Sequence, residues 1–202
     1  MSNKDNKYNN IVIKTKNFYL RQFNKENDFD LYYNFWNDKH VLESMECKPR
    51  NRKDIEEYFQ IYESWMDKFS LPNFAVFKKE ADDFVGSCGM SLFHNFHGER
   101  NPLTPINSGK YLNKDIEISY VFHKKYWGKG YTTEIVKACI DFVFDNYFDI
   151  KRIVAVTAPN NIASQKVLSK IGFEFCSVNN TWYGKENFYF INKKKYSNNI
   201  GN

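Results

Sequence analysis

Between Ile116 and Tyr147 the chain passes from a strand pattern, IEISYVF, through the turn WGKGYTT and straight into a stretch with helical spacing. The first run is rich in β-branched and aromatic residues, as a sheet strand requires. In the second, Ile135, Val136, Cys139, Phe142, Val143 and Tyr147 recur at steps of three and four, which predicts a helix from about Thr133 to Tyr147. A strand that turns so tightly into an amphipathic helix must lay that helix back on its own sheet. The passage therefore demands layered α/β packing.

The remaining pattern extends this layering. A short strand is expected at residues 18–23 and a helix over 28–38. The strongest helical period follows, with Ile55, Tyr58, Phe59, Tyr62, Trp65, Met66 and Phe69 behind an Asn51 cap. Residues 73–79 and 84–93 flank the acidic turn EADD and form a hairpin. After the strand, turn and helix of residues 116–147 come a buried strand at 152–157, a short helix from Ile162 to Ile171 closed by Gly172, and strands at 173–178 and 187–192. The order β-α-α-β-β-β-α-β-α-β-β describes a mixed α/β sheet. With no repeat and no linker, residues 11–192 are expected to form one domain. The Asn- and Lys-rich ends, 1–10 and 193–202, read as frayed tails. The polar loop 94–115 is long enough to be functional or to hold a further hairpin, and on the strand after it Glu117 is the candidate acid on the buried side.

Composition removes several classes. An aromatic share of 18% is too high for a disordered chain, and the net charge of +5 falls short of the dense basic stripe of a nucleic-acid binder. No apolar run reaches the ~18 residues of a membrane span, so no membrane partner is expected. Cys47, Cys88, Cys139 and Cys176 lack C-x-x-C spacing, and the polar start lacks a signal peptide's apolar stretch. Both features read as a reducing, cytoplasmic setting. His94 and His97 form an H-x-x-H without a completing Cys or carboxylate, so no metal is expected. Cys139 falls on a helix's apolar face, and no G-x-S-x-G elbow supports hydrolase chemistry.

Three phosphate-cradling motifs compete for the glycine turn. A Walker loop would need glycine where His123 stands, and a dinucleotide fingerprint would need a third glycine where Thr133 stands. What remains is a G-x-G turn opening a helix. The backbone N–H groups of Gly128, Lys129, Gly130, Tyr131 and Thr132 can point at an anion such as a pyrophosphate, favoured by the helix dipole. The alternative is a tight turn that holds nothing.

A second stretch, NNIASQKVLSKIGFEF from Asn160 to Phe175, reads by itself as a capped helix, with Asn161 as cap and Ser164 in the first turn. Together with FYLRQF and IEISYVFHKKYWGKGYTTE, in this order and spacing, it resembles the GNAT superfamily of N-acetyltransferases, in the RimJ/RimL-like branch that includes ribosomal-protein N-terminal acetyltransferases. The resemblance spans about residues 11–192. It implies a central, mostly antiparallel sheet flanked by helices, and acetyl-CoA as co-substrate. It implies that Lys125, Gly128 and Gly130, in the pattern (Gln/Arg)-x-x-Gly-x-(Gly/Ala), bind the CoA pyrophosphate, with lysine in the first position. It further implies that Val121, Phe122 and His123 pair with the pantetheine arm and aim a backbone N–H at the thioester carbonyl, an oxyanion hole. Asn161 and Ser164 map onto a second CoA contact, and oligomeric state is implied only as monomer or homodimer.

Acyl transfer requires a neutral amine. Deprotonation at pH 7 costs about 4.6 kcal/mol for a lysine side chain but only about 1.1 for an N-terminal α-amine. Glu117 is the family-matched base, acting through water, and its other reading is a rim carboxylate paired with a lysine. Glu134, in a first helical turn, reads as structural. Leu168 stands where many such enzymes carry a tyrosine acid. Ser164 is the substitute acid, although a thiol with a pKa of ~8.5 leaves tolerably well without one. The acceptor is a protein N-terminus, a small amine, an amino acid or an antibiotic. The readings outside catalysis are an acyl-CoA sensor and an RNA- or ribosome-associated binding protein.

Overall fold

The computed structural model describes residues 12–93, 106–109, 114–181 and 184–200. They fall into two compact units, one drawn from Met1–Gly89 and Tyr120–Ala138, the other from Met90–Ser119 and Cys139–Asn202.

The first unit holds strands β1 (Val12–Lys14) and β2 (Phe18–Gln22), helices α1 (Lys25–Trp36), α2 (Lys39–Met45) and α3 (Arg52–Phe69), and strand β3 (Asn73–Lys78). It also takes the start of β4 (Asp83–Leu92), the end of β5 (Ile116–Phe122) and the start of helix α4 (Tyr131–Asn146). β1, β2, β3 and β4 pair antiparallel in that order. The core is aromatic: Tyr32, Phe35 and Trp36 of α1 and Ile55 and Phe59 of α3 pack with Ala75, Phe77 and Phe84 of the sheet. That cluster explains the first half of the helical spacing read at 55–69: Ile55 and Phe59 are buried in it, and Tyr58 and Tyr62 pack partly buried against it.

The helix expected over 28–38 begins earlier, because the Asn24 side chain accepts from the Asn27 N–H and caps it. It ends at Trp36, and Asp38 caps a separate helix, α2, with bonds from His40 and Val41. α2 escaped the reading because its seven residues bury only Val41. In β4 the register with β3 shifts near Val76, and Gly86 there has φ +146°. A Cβ on Gly86 would stand 2.1 Å from the Val121 carbonyl oxygen, so only glycine lets β4 approach the end of β5 this closely.

The second unit holds the remainders of β4, β5 and α4 with strand β6 (Arg152–Thr157), helix α5 (Ile162–Ile171), strands β7 (Glu174–Thr181) and β8 (Gly184–Asn192), and helix α6 (Lys193–Ile200). Its strands run β5-β6-β8-β7. β6 pairs with β8, and β8 with β7, antiparallel. β5 and β6 are parallel and pair at Ile116↔Ile153 and Glu117↔Val154. The sheet is thus mostly antiparallel with helices packed on it, as expected.

Residues 193–200 correct one expectation, since they form α6 instead of a frayed tail. Tyr196 is buried and donates its hydroxyl to Asp141 at 2.5 Å. Two apolar residues, Tyr196 and Ile200, in a polar run are too few to declare a period, so the helix was invisible to pattern reading. The described part of the long loop is anchored by buried Asn107, which accepts from the N–H groups of Lys151 and Arg152 and donates to the Lys114 carbonyl. His94 and His97 lie outside the described residues.

Candidate active site

The glycine turn lies in the first unit. β5 ends at Phe122, a short 3-10 turn covers Lys124–Tyr126, and α4 begins at Tyr131. Gly128 and Gly130 have φ of +73° and +79°, which L residues rarely adopt. A Cβ at either would meet nothing within 4 Å, so conformation and open space set the demand for glycine here. The first bond of α4 runs from the Glu134 N–H to the Gly130 carbonyl at 3.2 Å, which makes Gly130 the capping residue. Glycine has no side chain to cap with. The N–H groups of Tyr131, Thr132 and Thr133 precede the first i→i−4 donor, so the positive end of the α4 dipole faces the open turn. By contrast, α1, α2, α3 and α5 each begin behind an Asn or Asp side chain that accepts from the first turn.

The turn is basic, but its lysines are partly engaged. Lys125 reaches Asp83 at 3.2 Å, and the Tyr126 hydroxyl donates to the same carboxylate at 3.1 Å. The contacts with Tyr126 and Asp83 raise the Lys125 pKa, and the two hydrogen bonds, from Lys125 first, lower that of Asp83. Lys129 donates to the Lys125 carbonyl at 2.9 Å. Both lysines are exposed and their charge stays beside the turn.

At the end of β5 the expected oxyanion donors divide. The His123 N–H is taken by the Val85 carbonyl at 2.9 Å, which withdraws it as a donor to a thioester. Backbone direction alternates along a strand, so Phe122 turns the other way from β4, and its carbonyl accepts the Trp127 indole N–H at 2.8 Å. The His123 ring stands edge-on to Phe35 at 4.8 Å, with Nδ1 4.0 Å from Asp38 Oδ2. Burial lowers its pKa below the ordinary imidazole value, Asp38 opposes the shift, and Lys125 adds to it.

In the second unit Glu117 is half-buried. It sits opposite the buried Ile116 and Ile118 faces, which corrects its assignment to the buried side of the strand. It occupies the last of the two paired positions of β5 and β6. Asn161 caps α5 by accepting from the Ser164 N–H at 3.0 Å, and Leu168 is buried.

Residues 17–174 match the family described as acetyltransferase (GNAT) domain. The chain belongs to the GNAT acetyltransferase family. The enzyme is an N-acetyltransferase that uses acetyl-CoA as co-substrate. It is 26% identical over 164 residues to the uncharacterized N-acetyltransferase p20 of Bacillus licheniformis, covering 81% of this chain and 82% of that protein. Among solved structures, RimL, a ribosomal L7/L12 α-N-protein acetyltransferase in complex with coenzyme A, superposes with a TM-score of 0.70 at 14% identity, covering 90% of this chain and 98% of that one. The aminoglycoside acetyltransferase AAC(6′)-Ib in complex with coenzyme A gives a TM-score of 0.68 at 16% identity, with 90% and 98% covered. These two share the fold of this acetyltransferase.

Two contacts of the candidate site had no signal in the sequence. Trp127 occupies a variable position of the glycine pattern, so nothing marked its indole as the partner of Phe122. Asp83 belonged to an acidic hairpin turn whose reach to Lys125 depends on how β4 meets β5. Glu134 acts structurally, as expected, but through a named partner: its two carboxylate oxygens accept from the Asn17 N–H at 2.8 Å and from the Asn17 side-chain amide at 2.7 Å. Among the described residues no cluster of potential metal ligands occurs, and no helix is long and apolar enough to cross a membrane.

Proposed function

We propose that the enzyme transfers acetyl directly from acetyl-CoA to a primary amine, namely the α-amine of a peptide or protein N-terminus. The observation that carries the cofactor site is the uncapped start of α4 on Gly130. Four other helices invest an Asn or Asp side chain in this position, and this one leaves its dipole and N–H groups to a ligand. The backbone of Gly128, Lys129, Gly130, Tyr131 and Thr132 receives the pyrophosphate, with Lys125 and Lys129 adding positive charge. Val121 and Phe122 align the pantetheine arm, and the Phe122 N–H replaces that of His123 as the donor to the thioester oxygen. Asn161 and Ser164 form the second contact with CoA.

Glu117 takes the amine proton through a water molecule. The neutral amine nitrogen then bonds to the acetyl carbon, the C–S bond breaks with the CoA sulfur leaving as thiolate, and the nitrogen gives up its second proton to water. An α-amine suits this arrangement, because its neutral form is about 3.5 kcal/mol cheaper at pH 7 than that of a lysine side chain. Leu168 offers no proton. Protonation of the thiolate falls to Ser164 or to water.

The test is calorimetric titration with acetyl-CoA of wild type and Gly128→Val, followed by an amine screen of wild type and Glu117→Gln. Binding lost in the first variant and turnover lost in the second support the reading. A folded wild type that binds no acetyl-CoA overturns it, and binding without turnover of any amine would make the protein a sensor.

A further inference from the structure

The segment between α2 and α3, tied back to the corner between α1 and α2, carries an arginine without a carboxylate. Arg21 pairs with Asp28 at 2.7 Å, Arg52 with Asp30 at 2.8 Å and Arg152 with Asp115 at 2.9 Å. Arg50 has no such partner among the described residues. Its guanidinium carbon lies 4.9 Å from the Trp36 ring centre and 4.5 Å from that of Tyr58, and Nη1 donates to the Tyr58 hydroxyl at 2.6 Å. Nε is buried without a hydrogen-bond partner. The Asn37 side chain fixes the backbone beneath it, accepting from the Arg50 N–H and donating to the Arg50 carbonyl, each at 3.0 Å.

This is a guanidinium held flat by aromatic rings, with most of its five donors unspent. The two rings are parallel, with centroids 6.2 Å apart, and lie to one side of it as a platform, which leaves its edge donors for a ligand. The edge of a planar fork matches a carboxylate, which it can hold by two parallel bonds. Its location points to the acceptor. Trp36, Asn37 and Asp38 are consecutive; the first two hold Arg50, and the third stands 4.0 Å from His123 at the end of β5. One corner of chain therefore ties Arg50 to the strand end where the thioester carbonyl is placed above.

We propose that Arg50 binds a carboxylate carried by the acceptor. The substrates are then amines with negative charge close to the reacting nitrogen: a free amino acid, or a peptide whose first residue is Asp or Glu. Polycationic amines are disfavoured by the same charge. The proposal rests on the N-acetyltransferase reading and narrows its acceptor.

The experiment compares kcat/KM for matched pairs, glutamate with its α,γ-diamide and a peptide beginning with Asp with the same peptide beginning with Asn, in wild type, Arg50→Gln and Arg50→Lys. Wild type is expected to prefer the carboxylate member of one pair by about tenfold or more, mostly through KM. Which pair does so identifies the source of the carboxylate. Arg50→Gln should bring that ratio to within about twofold and Arg50→Lys should restore part of it, with acetyl-CoA affinity unchanged in both. No preference in wild type, or one that survives Arg50→Gln, overturns the proposal. A second measurement needs no turnover: the Arg50 Nε–H signal is followed by NMR while N-acetylglutamate or its diamide is added. A shift with the carboxylate alone supports the Arg50 site even if no amine is acetylated. No shift overturns it even if amines are.

Discussion

Trp127 donates its indole N–H to the Phe122 carbonyl oxygen at 2.8 Å, across the turn that joins β5 to the glycine loop. The residue is 41% exposed, so part of the ring packs on the protein, and the hydrogen bond adds the directional contact between the loop and the strand end. Trp127→Phe keeps an aromatic ring and deletes this bond. A loss of about 1 kcal/mol in stability is expected, read as a shift in the urea midpoint. A looser loop should also weaken acetyl-CoA binding several-fold in calorimetry. Unchanged affinity would mean that the turn is held by Gly128 and Gly130 alone.

His123 is predicted to be neutral throughout the physiological range. Burial depresses its folded pKa below the unfolded value of about 6.5, and Asp38 only partly offsets this. For a depressed pKa the contribution to stability is complete above the unfolded value and is lost as pH falls through the folded one. Lowering the pH from 7 to 5 should therefore destabilise wild type more than His123→Gln. An imidazole titration by NMR with a midpoint above about 6.5 would show that the Asp38 charge outweighs burial.

Tyr196 makes α6 part of the folded core. Its ring lies 5.5 Å from that of Phe144, and its hydroxyl donates to Asp141, with burial and then that bond raising the phenol pKa well above its usual range. Tyr196→Ala should cost about 3–5 kcal/mol, as removal of a buried aromatic ring does, and Tyr196→Phe only about 1. Thermal melts of the two variants separate ring from hydroxyl, and two melts equal to wild type would return the segment to the status of a tail.

Local signals carried what could be read beforehand. α3 is long, capped by Asn51 with Asp54 answering, and its period was plain; the glycine turn declared itself by residue type. What stayed hidden depends on distant parts of the chain meeting. Arg50 is distinctive only once Trp36 and Tyr58 come together as a platform beside it, and the His123 N–H is disqualified only because β4 brings the Val85 carbonyl to it. The resemblance supplied the order of the motifs and the cofactor. It could not say which backbone donors the neighbouring strand would consume.

Glu134 shows how an acid in a first helical turn does more than answer the dipole. Both its oxygens are occupied by Asn17, before β2, so α4 is tied to the edge of the first unit just past the glycine turn. Burial raises its pKa, but the nearby Thr15 hydroxyl, the hydrogen bonds from Asn17 and the charge of Lys16 outweigh that and hold it below the usual carboxylate value. Its contribution is present above an unfolded pKa of about 4.3 and is lost as pH falls through the lower folded value. Glu134→Gln keeps one acceptor and turns an amide against the second donor, at a cost of about 1–3 kcal/mol near pH 7. Denaturation midpoints of wild type and Glu134→Gln should converge as the pH is lowered below about 4. A gap that persists at pH 3 would assign the loss to packing at the start of α4 and not to the charge.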